Sequence, residues 1–270
     1  MASRAIPRTE NPLESDLLAL MFYPSMFAEA LFGAPPDPWQ TEVLETKSKR
    51  ILLNCARQTG KSSIVAAMAL HHALWTPKSM VIVISHTLEQ AKETFRKITD
   101  YYKQIDRPVL SVTETVQKIE LANKSRIIAL TGQAPDSIRG YSNVTLLVID
   151  EASQVHEKAY TNSRPMLAIS NGKIVLLSTP HGKRGFFWEA WDNEENWLKV
   201  RITADDCPRF TRSFLEEERE RMLDWEFKQE YYCYFAEAID SVFKPEDIEA
   251  AFDHPELPVR NEIDLSLDDL

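Results

Sequence analysis

The segment Cys55–Ser62 reads CARQTGKS and stands between an apolar run and a helical pattern. This order of residue types is typical of a phosphate-binding loop, in which backbone N–H groups and a helix N-terminus surround phosphate groups. In such a loop Lys61 reaches the β- and γ-phosphates, and the Ser62 hydroxyl binds Mg²⁺. Cys55 replaces the first glycine of the usual pattern, and a bare Gly-Lys-Ser also occurs in ordinary strand-to-helix turns. The assignment therefore depends on the rest of the site.

Two adjacent carboxylates, Asp150 and Glu151, follow the apolar run Thr145–Ile149. A carboxylate at the end of a strand can hold Mg²⁺ through water, and its neighbour can orient or deprotonate an attacking water molecule. We assign the first role to Asp150 and the second to Glu151. An exposed acidic strand end is the alternative, but five apolar residues behind a phosphate-binding loop favour catalysis. The pair predicts hydrolysis, because a phosphotransfer enzyme needs no water-activating carboxylate.

A third candidate group is Ser178-Thr179-Pro180, at the end of the apolar run Lys173–Ser178. Ligands of open α/β sheets lie at the carboxyl ends of the strands, so these hydroxyls can sense a γ-phosphate. The loss of that phosphate would then be passed to the following loop, residues 181–185. A simple turn explains the same residues equally well.

Length and composition predict a folded globular chain. The 270 residues are 44% hydrophobic and 27% charged, which excludes collagen-like and disordered classes. No apolar run suits a membrane span or a signal-peptide core, so we expect a cytoplasmic protein that does not contact membranes. Three scattered cysteines without a C-x-x-C pair fit a reducing compartment.

The net charge of −10, taken over the whole chain, argues against a protein that binds nucleic acid. Acidic residues are concentrated in residues 204–270, however, whereas residues 1–203 carry a small excess of lysine and arginine. A solvated helical face is the simplest explanation of the acidic part. Repulsion of DNA or an acidic contact with a partner is the alternative.

The elements that must position these residues alternate between strands and helices. Short runs rich in Val, Ile and Leu, apolar on both faces, predict the strands of a covered, mostly parallel sheet: Arg50–Cys55, Met80–Ser85, Arg126–Thr131, Thr145–Ile149, Lys173–Ser178 and Trp197–Thr203. Gln117–Leu121 is expected to form a hairpin with the third of these. Helices are predicted over residues 13–31 with a break at Pro24, from Pro38 to Leu44, and over Ser62–Leu74, Leu88–Tyr102, Phe214–Phe235 and Pro245–Phe252. This rhythm is typical of an α/β domain.

In this order the motifs resemble the ATPase domain of the large terminase subunit, the DNA-packaging motor of tailed bacteriophages and herpesviruses. The resemblance covers most of the chain. The segments that carry it are PWQ (Pro38–Gln40), ARQTGKS (Ala56–Ser62), SHTLEQAKETF (Ser85–Phe95), IRGYS (Ile138–Ser142), LLVIDEAS (Leu146–Ser153), LLSTPHGKRGFFWEAW (Leu176–Trp191) and FKQEYYCYF (Phe227–Phe235).

The resemblance implies a RecA-like P-loop NTPase with a mostly parallel central sheet, an N-terminal helical segment and a small C-terminal helical subdomain. It implies ATP hydrolysis with Mg²⁺ that moves double-stranded DNA into a capsid. The implied partners are a portal protein, a small terminase subunit and neighbouring copies in a ring motor, in the host cytoplasm. The residues expected to bind ATP are Trp39, Gln40, Ala56, Arg57, Gln58, Thr59, Gly60, Lys61, Ser62 and Ser63; those expected to bind the metal are Ser62 and Asp150; and those expected to couple hydrolysis to movement are Ser178, Thr179 and Pro180.

Two arginines are candidates for neutralising the charge that develops on the γ-phosphate during hydrolysis. Arg57 lies within the phosphate-binding loop and is placed to act in its own subunit. Arg139 lies beside a glycine on a loop that leads into the Thr145–Ile149 strand, and we expect it to reach into a neighbouring subunit. The alternative for Arg139 is a surface arginine paired with Asp136.

A separate group of basic side chains predicts either a DNA path or a solvated helix face. Its members are Lys92, Arg96, Lys97, Lys103 and Arg107. Both interpretations stay open at the level of sequence.

We expect four parts: an N-terminal helical segment and linker over residues 1–36, a P-loop ATPase core over 37–203, a helical subdomain over 204–255, and an acidic linker over 256–270. Large terminase subunits usually carry a nuclease domain with clustered acids after the ATPase. This sequence departs from that pattern because it ends at Leu270, so we expect no nuclease activity from it. Two other functions fit part of the motifs. One is a single RecA-like lobe of a helicase or repair translocase, and the other is an assembly subunit that uses ATP as a switch.

Overall fold

The computed structural model describes residues 12–193 and 195–237. Within these residues eight strands form one sheet, in the spatial order β3-β4-β5-β2-β6-β7-β1-β8. Their bounds are β1 Arg50–Cys55, β2 Met80–Ser85, β3 Ser111–Glu114, β4 Lys118–Leu121, β5 Arg126–Thr131, β6 Leu146–Asp150, β7 Lys173–Ser178 and β8 Leu198–Ile202. Four predicted strands are confirmed without change. The other two differ slightly, because β6 begins and ends one residue later than predicted and β8 is one residue shorter at each end.

Six neighbouring strands are parallel, in the order β5-β2-β6-β7-β1-β8, so their carboxyl ends lie at one edge of the sheet. In the register of the sheet, Asp150 is opposite Ser85 of β2 and Leu177 of β7. The mostly parallel sheet predicted from the sequence is therefore confirmed. β4 pairs with β5 in the predicted antiparallel hairpin, and β3 extends this hairpin as an unpredicted edge strand.

Ten α-helices lie within the described part of the chain: α1 Pro12–Phe22, α2 Pro24–Phe32, α3 Pro38–Glu45, α4 Lys61–Trp75, α5 Leu88–Gln104, α6 Pro135–Ile138, α7 Glu157–Ser163, α8 Gly185–Asp192, α9 Arg212–Arg221 and α10 Asp224–Tyr232. None of them is long and apolar enough to cross a membrane. Side chains at helix starts explain two boundaries. Gln40 accepts a hydrogen bond from the N–H of Asp37 before α3, and Thr87 and Gln90 exchange hydrogen bonds before α5.

Helices cover both faces of the sheet, which explains why the strands are apolar on nearly every residue. In β1, Ile51 and Leu53 pack into the cluster formed with α2–α5, whereas Leu52 packs into the cluster on the opposite face with α7 and α8. Each of these three side chains is fully buried. Burial of one such side chain contributes about 1.5–3 kcal/mol, so the core holds the strand ends in fixed positions.

The predicted helix Phe214–Phe235 is wrong as a single element, because it is divided into α9 and α10. The backbone is extended at Met222, with φ −106° and ψ 157°, and this ends α9. The predicted helix Pro245–Phe252 and the acidic linker 256–270 lie outside the described residues. The elements described all belong to one compact unit. The finer division at residues 36, 203 and 255 stays a prediction.

Candidate functional site

The predicted phosphate-binding loop connects β1 to α4 at the carboxyl edge of the sheet. Gly60 has φ 93°, a backbone conformation that favours glycine, and a Cβ at this position would also lie 3.0 Å from Nε2 of Gln40. Cys55, which stands where a glycine is usual, ends the strand with a fully buried side chain. Burial raises the pKa of its thiol far above the usual range, which keeps the sulfur neutral.

Lys61 connects the loop to both of the other predicted motifs. Its ammonium Nζ donates a hydrogen bond of 2.8 Å to Oγ1 of Thr179 and lies 3.5 Å from Oε1 of Glu151. The lysine side chain is almost completely buried. A charged ammonium in such a position needs oxygen partners, and phosphate oxygens are partners of the same kind.

Glu151 is held by Ser178, which in turn contacts Ser153. Ser178 Oγ donates to Oε2 of Glu151 at 3.3 Å, and Ser153 Oγ lies 2.7 Å from Ser178 Oγ and donates to the carbonyl of Thr179 at 2.8 Å. The backbone of Glu151 has φ 50°, an unfavourable conformation for a non-glycine residue that the surrounding fold must stabilise. Ser153 was not identified from the sequence, although it lies two residues after Glu151 within LLVIDEAS.

Asp150 is buried at the end of β6. Thr94 of α5 donates to its Oδ2 at 3.2 Å, and the N–H of Glu151 donates to its Oδ1 at 3.0 Å. Burial and the adjacent Glu151 raise the pKa of Asp150 to about 6, against smaller opposing effects of Lys61 and Thr94. Thr94 is a second residue that was not predicted, because nothing in a helical pattern shows which hydroxyl faces the sheet.

We expect Asp150→Asn to stabilise the folded chain at neutral pH. An unfolded aspartate has a pKa near 3.8, and the folded value is raised to about 6, so the free energy of unfolding falls as pH rises between these values. This rise in pKa lowers the free energy of unfolding of the parent by roughly 3 kcal/mol above pH 6, and the variant avoids that loss. Its melting temperature should therefore be higher by several degrees, at roughly 2–4 °C per kcal/mol.

Melting curves at pH 7.5 and below pH 4 measure this effect. The difference between Asp150→Asn and the parent should disappear in acid, where both side chains are neutral. Asp136→Asn, at an exposed carboxylate paired with Lys158, is the control and should change the midpoint little at either pH. A variant that melts lower than the parent at pH 7.5 contradicts the effect assigned to burial.

Helix α10, near the end of the described residues, packs beside the phosphate-binding loop and its predicted ATP-binding residue Arg57. Arg57 is 68% exposed at its side chain, and its Nε lies 2.6 Å from Oε2 of Glu230 in α10. The N–H of Gly182, just after the predicted coupling residue Pro180, donates to Oε1 of Gln229 at 3.3 Å. Thus α10 contacts both the loop and the coupling segment, and its role was not predicted.

On the other side of the loop, Arg209 donates to Oδ2 of Asp37 at 2.9 Å and to the carbonyl of Thr59 at 2.8 Å. Trp39 and Gln40 follow Asp37 in α3, and both are buried. The structure therefore brings Trp39 and Gln40, two of the residues expected to bind ATP, next to the phosphate-binding loop, while their contact with a nucleotide stays a prediction. Arg209 was missed because it lies more than a hundred residues from both partners.

Arg139 lies on the surface, away from the cavity. Its guanidinium donates to Oδ1 of Asn162 at 3.0 Å. The alternative that paired it with Asp136 is wrong, because Asp136 forms its ion pair with Lys158, at 3.2 Å. Action of Arg139 in a neighbouring subunit stays a prediction.

A cavity of about 510 Å³ joins these groups at the carboxyl edge of the sheet. Its lining is Arg57, Gln58, Gly60, Lys61, Ser62, Gln90, Lys97, Glu151, Gln154, Thr179, Pro180, His181 and Glu230. Ser62 thus lies in the same cavity as Glu151, which follows the buried Asp150. Hydroxyl and carboxylate oxygens are ligands that Mg²⁺ prefers, so the side chains of Ser62 and Asp150 are of the types that fit the predicted metal. No group of three or more His, Cys, Asp or Glu side chains that could hold a metal ion occurs in the described part of the chain, at this cavity or away from it.

The five basic residues that suggested a DNA path divide into two kinds. Four form ion pairs: Lys92 with Glu89, Arg96 with Glu93, and Lys103 and Arg107 with Glu114. These favour the solvated helix face. Lys97 instead lines the cavity, with Nζ 3.4 Å from Oγ of Ser63, and no carboxylate of the described residues pairs with it.

Comparison with known proteins agrees with this site. The family described as "Terminase large subunit, T4likevirus-type, N-terminal" matches residues 52–250. The large terminase subunit of Escherichia phage T5 is 28% identical over 219 residues, which cover 78% of this chain and 49% of that protein. The corresponding subunit of Thermus virus P23-45 is 24% identical over 260 residues, covering 81% and 52%. The chain thus spans about half the length of these relatives.

Solved structures show the same fold. The large terminase ATPase domain of Thermus phage P74-26 superimposes with a TM-score of 0.69 at 20% identity, covering 77% of this chain and 97% of that chain. A large terminase from a thermophilic bacteriophage, solved in complex with ADP, gives a TM-score of 0.61 at 14% identity, with coverages of 75% and 54%. The predicted RecA-like fold is confirmed by these similarities.

Proposed function

This chain belongs to the family of T4-like-virus-type terminase large subunits, and on that premise we propose that it is an ATP-hydrolysing motor domain that moves double-stranded viral DNA into a capsid. One observation carries the proposal: Lys61, Glu151 and Thr179 come from three separate segments and meet in one cavity. A phosphate-binding lysine and a water-activating carboxylate are central parts of a site that hydrolyses ATP, and the hydroxyl of Thr179 is placed to contact the same phosphate.

In the proposed reaction the backbone N–H groups of the loop and Lys61 bind the β- and γ-phosphates. Glu151 accepts a proton from the attacking water, and Ser178 holds that carboxylate in position. Mg²⁺, bound by Ser62 and Asp150, would supply positive charge to the phosphate oxygens. Arg57 and Arg139 are proposed to neutralise the charge of the transition state, the first within the chain and the second in a neighbouring copy.

Movement is proposed to begin at Thr179. When the γ-phosphate leaves, Lys61 and Thr179 lose a shared partner, and the segment after Pro180 is free to shift. That segment is hydrogen-bonded to Gln229 of α10. The next residue, Lys183, donates its N–H to the carbonyl of Ala236 at 3.1 Å. Hydrolysis would thereby displace the C-terminal helices relative to the sheet.

The partners follow from the same proposal. They are double-stranded DNA, a portal protein, a small terminase subunit and neighbouring copies in a ring, in the cytoplasm of the host. Solved relatives support the nucleotide, since the large terminase of a thermophilic bacteriophage is described in complex with ADP. Packaging reactions with the full terminase, scored as DNA protected from nuclease inside capsids, test the motor. Protection that needs no ATP contradicts it.

The alternative functions explain less of the site. A helicase or repair lobe has the same three motifs, but the family match favours the terminase. A nucleotide switch needs no water-activating carboxylate, whereas Glu151 is adjacent to the metal-binding candidate Asp150 and is held by Ser178.

We expect Lys97→Ala to weaken binding of ATPγS about tenfold or more, while binding of ADP changes by less than about twofold. The physical reason is that Lys97 lines the cavity together with Thr179, which is assigned to the terminal phosphate, and a charge-assisted hydrogen bond contributes roughly 1.5–3 kcal/mol. Titration calorimetry with each nucleotide measures both constants.

Lys92→Ala is the matched control, because Lys92 lies on the same helix but pairs with Glu89. It should leave both constants unchanged. Lys61→Ala should weaken both nucleotides. If Lys97→Ala weakens binding of ADP and ATPγS by the same factor, the assignment of Lys97 to the terminal phosphate is wrong.

A further inference from the structure

Six lysines and arginines lie where parallel strands begin, at the edge of the sheet opposite the phosphate-binding loop. We name this set the basic edge; its members are Lys49, Arg50, Lys78, Lys124, Arg126 and Lys173. The first two introduce β1, the third precedes β2, the next two introduce β5, and the last begins β7.

Backbone hydrogen bonds fix this edge as a continuous row. The N–H of Arg126 donates to the carbonyl of Ser79 at 2.9 Å, and the N–H of Ile174 donates to the carbonyl of Lys49 at 2.8 Å. The strand order from β5 through β2, β6 and β7 to β1 comprises four spacings, or about 19 Å. The cations are therefore distributed across the width of the parallel sheet.

Members of the basic edge have no carboxylate partner among the residues that the structure describes. Lys49 and Lys173 donate only to backbone carbonyls, those of Asn171 and Thr46. Several lysines elsewhere do have such a partner; Lys228, for example, pairs with Asp224.

One acidic side chain near the row, Glu120, is opposite Arg126 in the register of β4 and β5, and it forms an ion pair with Lys118 at 3.1 Å. A cavity of about 280 Å³ between the loops before β1 and β7 is lined by Lys49, Arg50 and Arg164 together with apolar and amide groups. Glu45 is close in sequence, but its carboxylate accepts hydrogen bonds from the N–H and the hydroxyl of Ser25. A polyanion at this edge would therefore meet cations that form no ion pair with a carboxylate of the described residues.

Charge is separated along the strands. The acidic helix α10 contacts the phosphate-binding loop through the ion pair of Arg57 with Glu230, at the carboxyl edge. A polyanion as large as DNA is repelled from acidic helices and attracted to the amino edge.

We propose that the basic edge binds the phosphate backbone of double-stranded DNA. The choice of DNA rests on the proposed function, whose substrate is a duplex. Over about 19 Å a duplex presents roughly eleven phosphates, enough to contact every member of the row. Phosphate contacts carry no sequence information, which suits a motor that must move DNA of any sequence.

The proposal places DNA and ATP at opposite ends of the same strands. β1 begins at Arg50 and ends at the phosphate-binding loop, and β7 begins at Lys173 and ends at the coupling residue Ser178. Both strands are buried along nearly their whole length, so a shift at one end is carried rigidly to the other.

The test compares two triple variants with the same change of charge. The edge variant carries Lys49→Gln, Lys78→Gln and Lys124→Gln, and the control variant carries Lys92→Gln, Lys103→Gln and Lys228→Gln, at lysines that have acidic partners. Fluorescence anisotropy with two duplexes of unrelated sequence, over a range of salt concentrations, measures affinity and its salt dependence. Melting curves confirm that both variants are folded.

We expect the edge variant to bind both duplexes at least about tenfold more weakly at low salt. The slope of log K against log salt should fall by up to about 2.7, at roughly 0.9 for each phosphate that a lysine no longer neutralises. The control variant should differ from the parent by less than about twofold.

Unchanged affinity and slope in the edge variant would overturn the proposal and leave an acidic protein surface as the alternative partner for this edge. A parent chain that binds neither duplex at low salt would overturn it too. ATP turnover, measured separately, should be unchanged by the edge variant in the absence of DNA. If the parent binds DNA without hydrolysing ATP, and the edge variant binds DNA more weakly, the proposed hydrolysis is wrong but the proposed DNA-binding role of the basic edge is supported.

Discussion

Glu151→Gln should retain nucleotide binding and lose ATP turnover by a factor of at least about 100, the lower end of what general base catalysis contributes. The amide keeps the size of the carboxylate and its hydrogen-bonding distance to Ser178, but it cannot accept the proton of the attacking water. Lys61, which holds the phosphates in this account, is not altered. Binding of ATPγS by calorimetry and release of phosphate from ATP measure the two effects separately.

Glu89→Gln serves as the control for this change, because it also neutralises one glutamate but lies on the surface of α5, paired with Lys92. It should retain both binding and turnover. Hydrolysis by Glu151→Gln at the rate of the parent would show that another group activates the water.

Mixing two inactive variants should restore turnover if Arg139 acts in a neighbouring subunit. Arg139→Ala keeps an intact cavity and Glu151→Gln keeps an intact arginine, so a mixed ring contains complete sites. An arginine supplied by a neighbour contributes roughly 10³ to 10⁵ in rate, and each variant alone should therefore be almost inactive under assembly conditions. The exposed position of Arg139, held by one hydrogen bond to Asn162, leaves it free to reach outward.

Phosphate release from the single variants and from their mixture, with assembly verified by light scattering, measures this effect. Arg212→Ala is the control, at an exposed arginine paired with Glu216 on its own helix. It should be active alone. An assembled mixture without recovered activity would return Arg139 to a role within its own chain or to a structural role.

The parts of the site that depend on local sequence were predictable. Gly60-Lys61-Ser62 must follow a strand and begin a helix for the backbone to surround phosphates, and Asp150 must end a strand to reach the same edge. Because parallel strands place their carboxyl ends together, motifs that are far apart in sequence could be assigned to one cavity from the sequence alone. The contact of Lys61 with Thr179 fulfils that expectation.

The parts that depend on tertiary contacts were not predictable. Arg209 reaches Thr59 across 150 residues, and Glu230 reaches Arg57 from a helix whose charged pattern indicated only a solvated face. Single-sequence patterns show which face of a helix is polar but not what that face contacts. The same limit explains why Lys97 could not be separated from its neighbours on α5 until their ion pairs were seen.

The number of phosphates that one chain releases tests the central claim most directly. Purified chain with excess ATP and Mg²⁺, followed until the substrate is largely consumed, should release many phosphates per chain, and removal of the metal with a chelator should stop the release. Release of no more than one phosphate per chain over the same period would contradict an ATP-hydrolysing motor and would indicate a nucleotide switch.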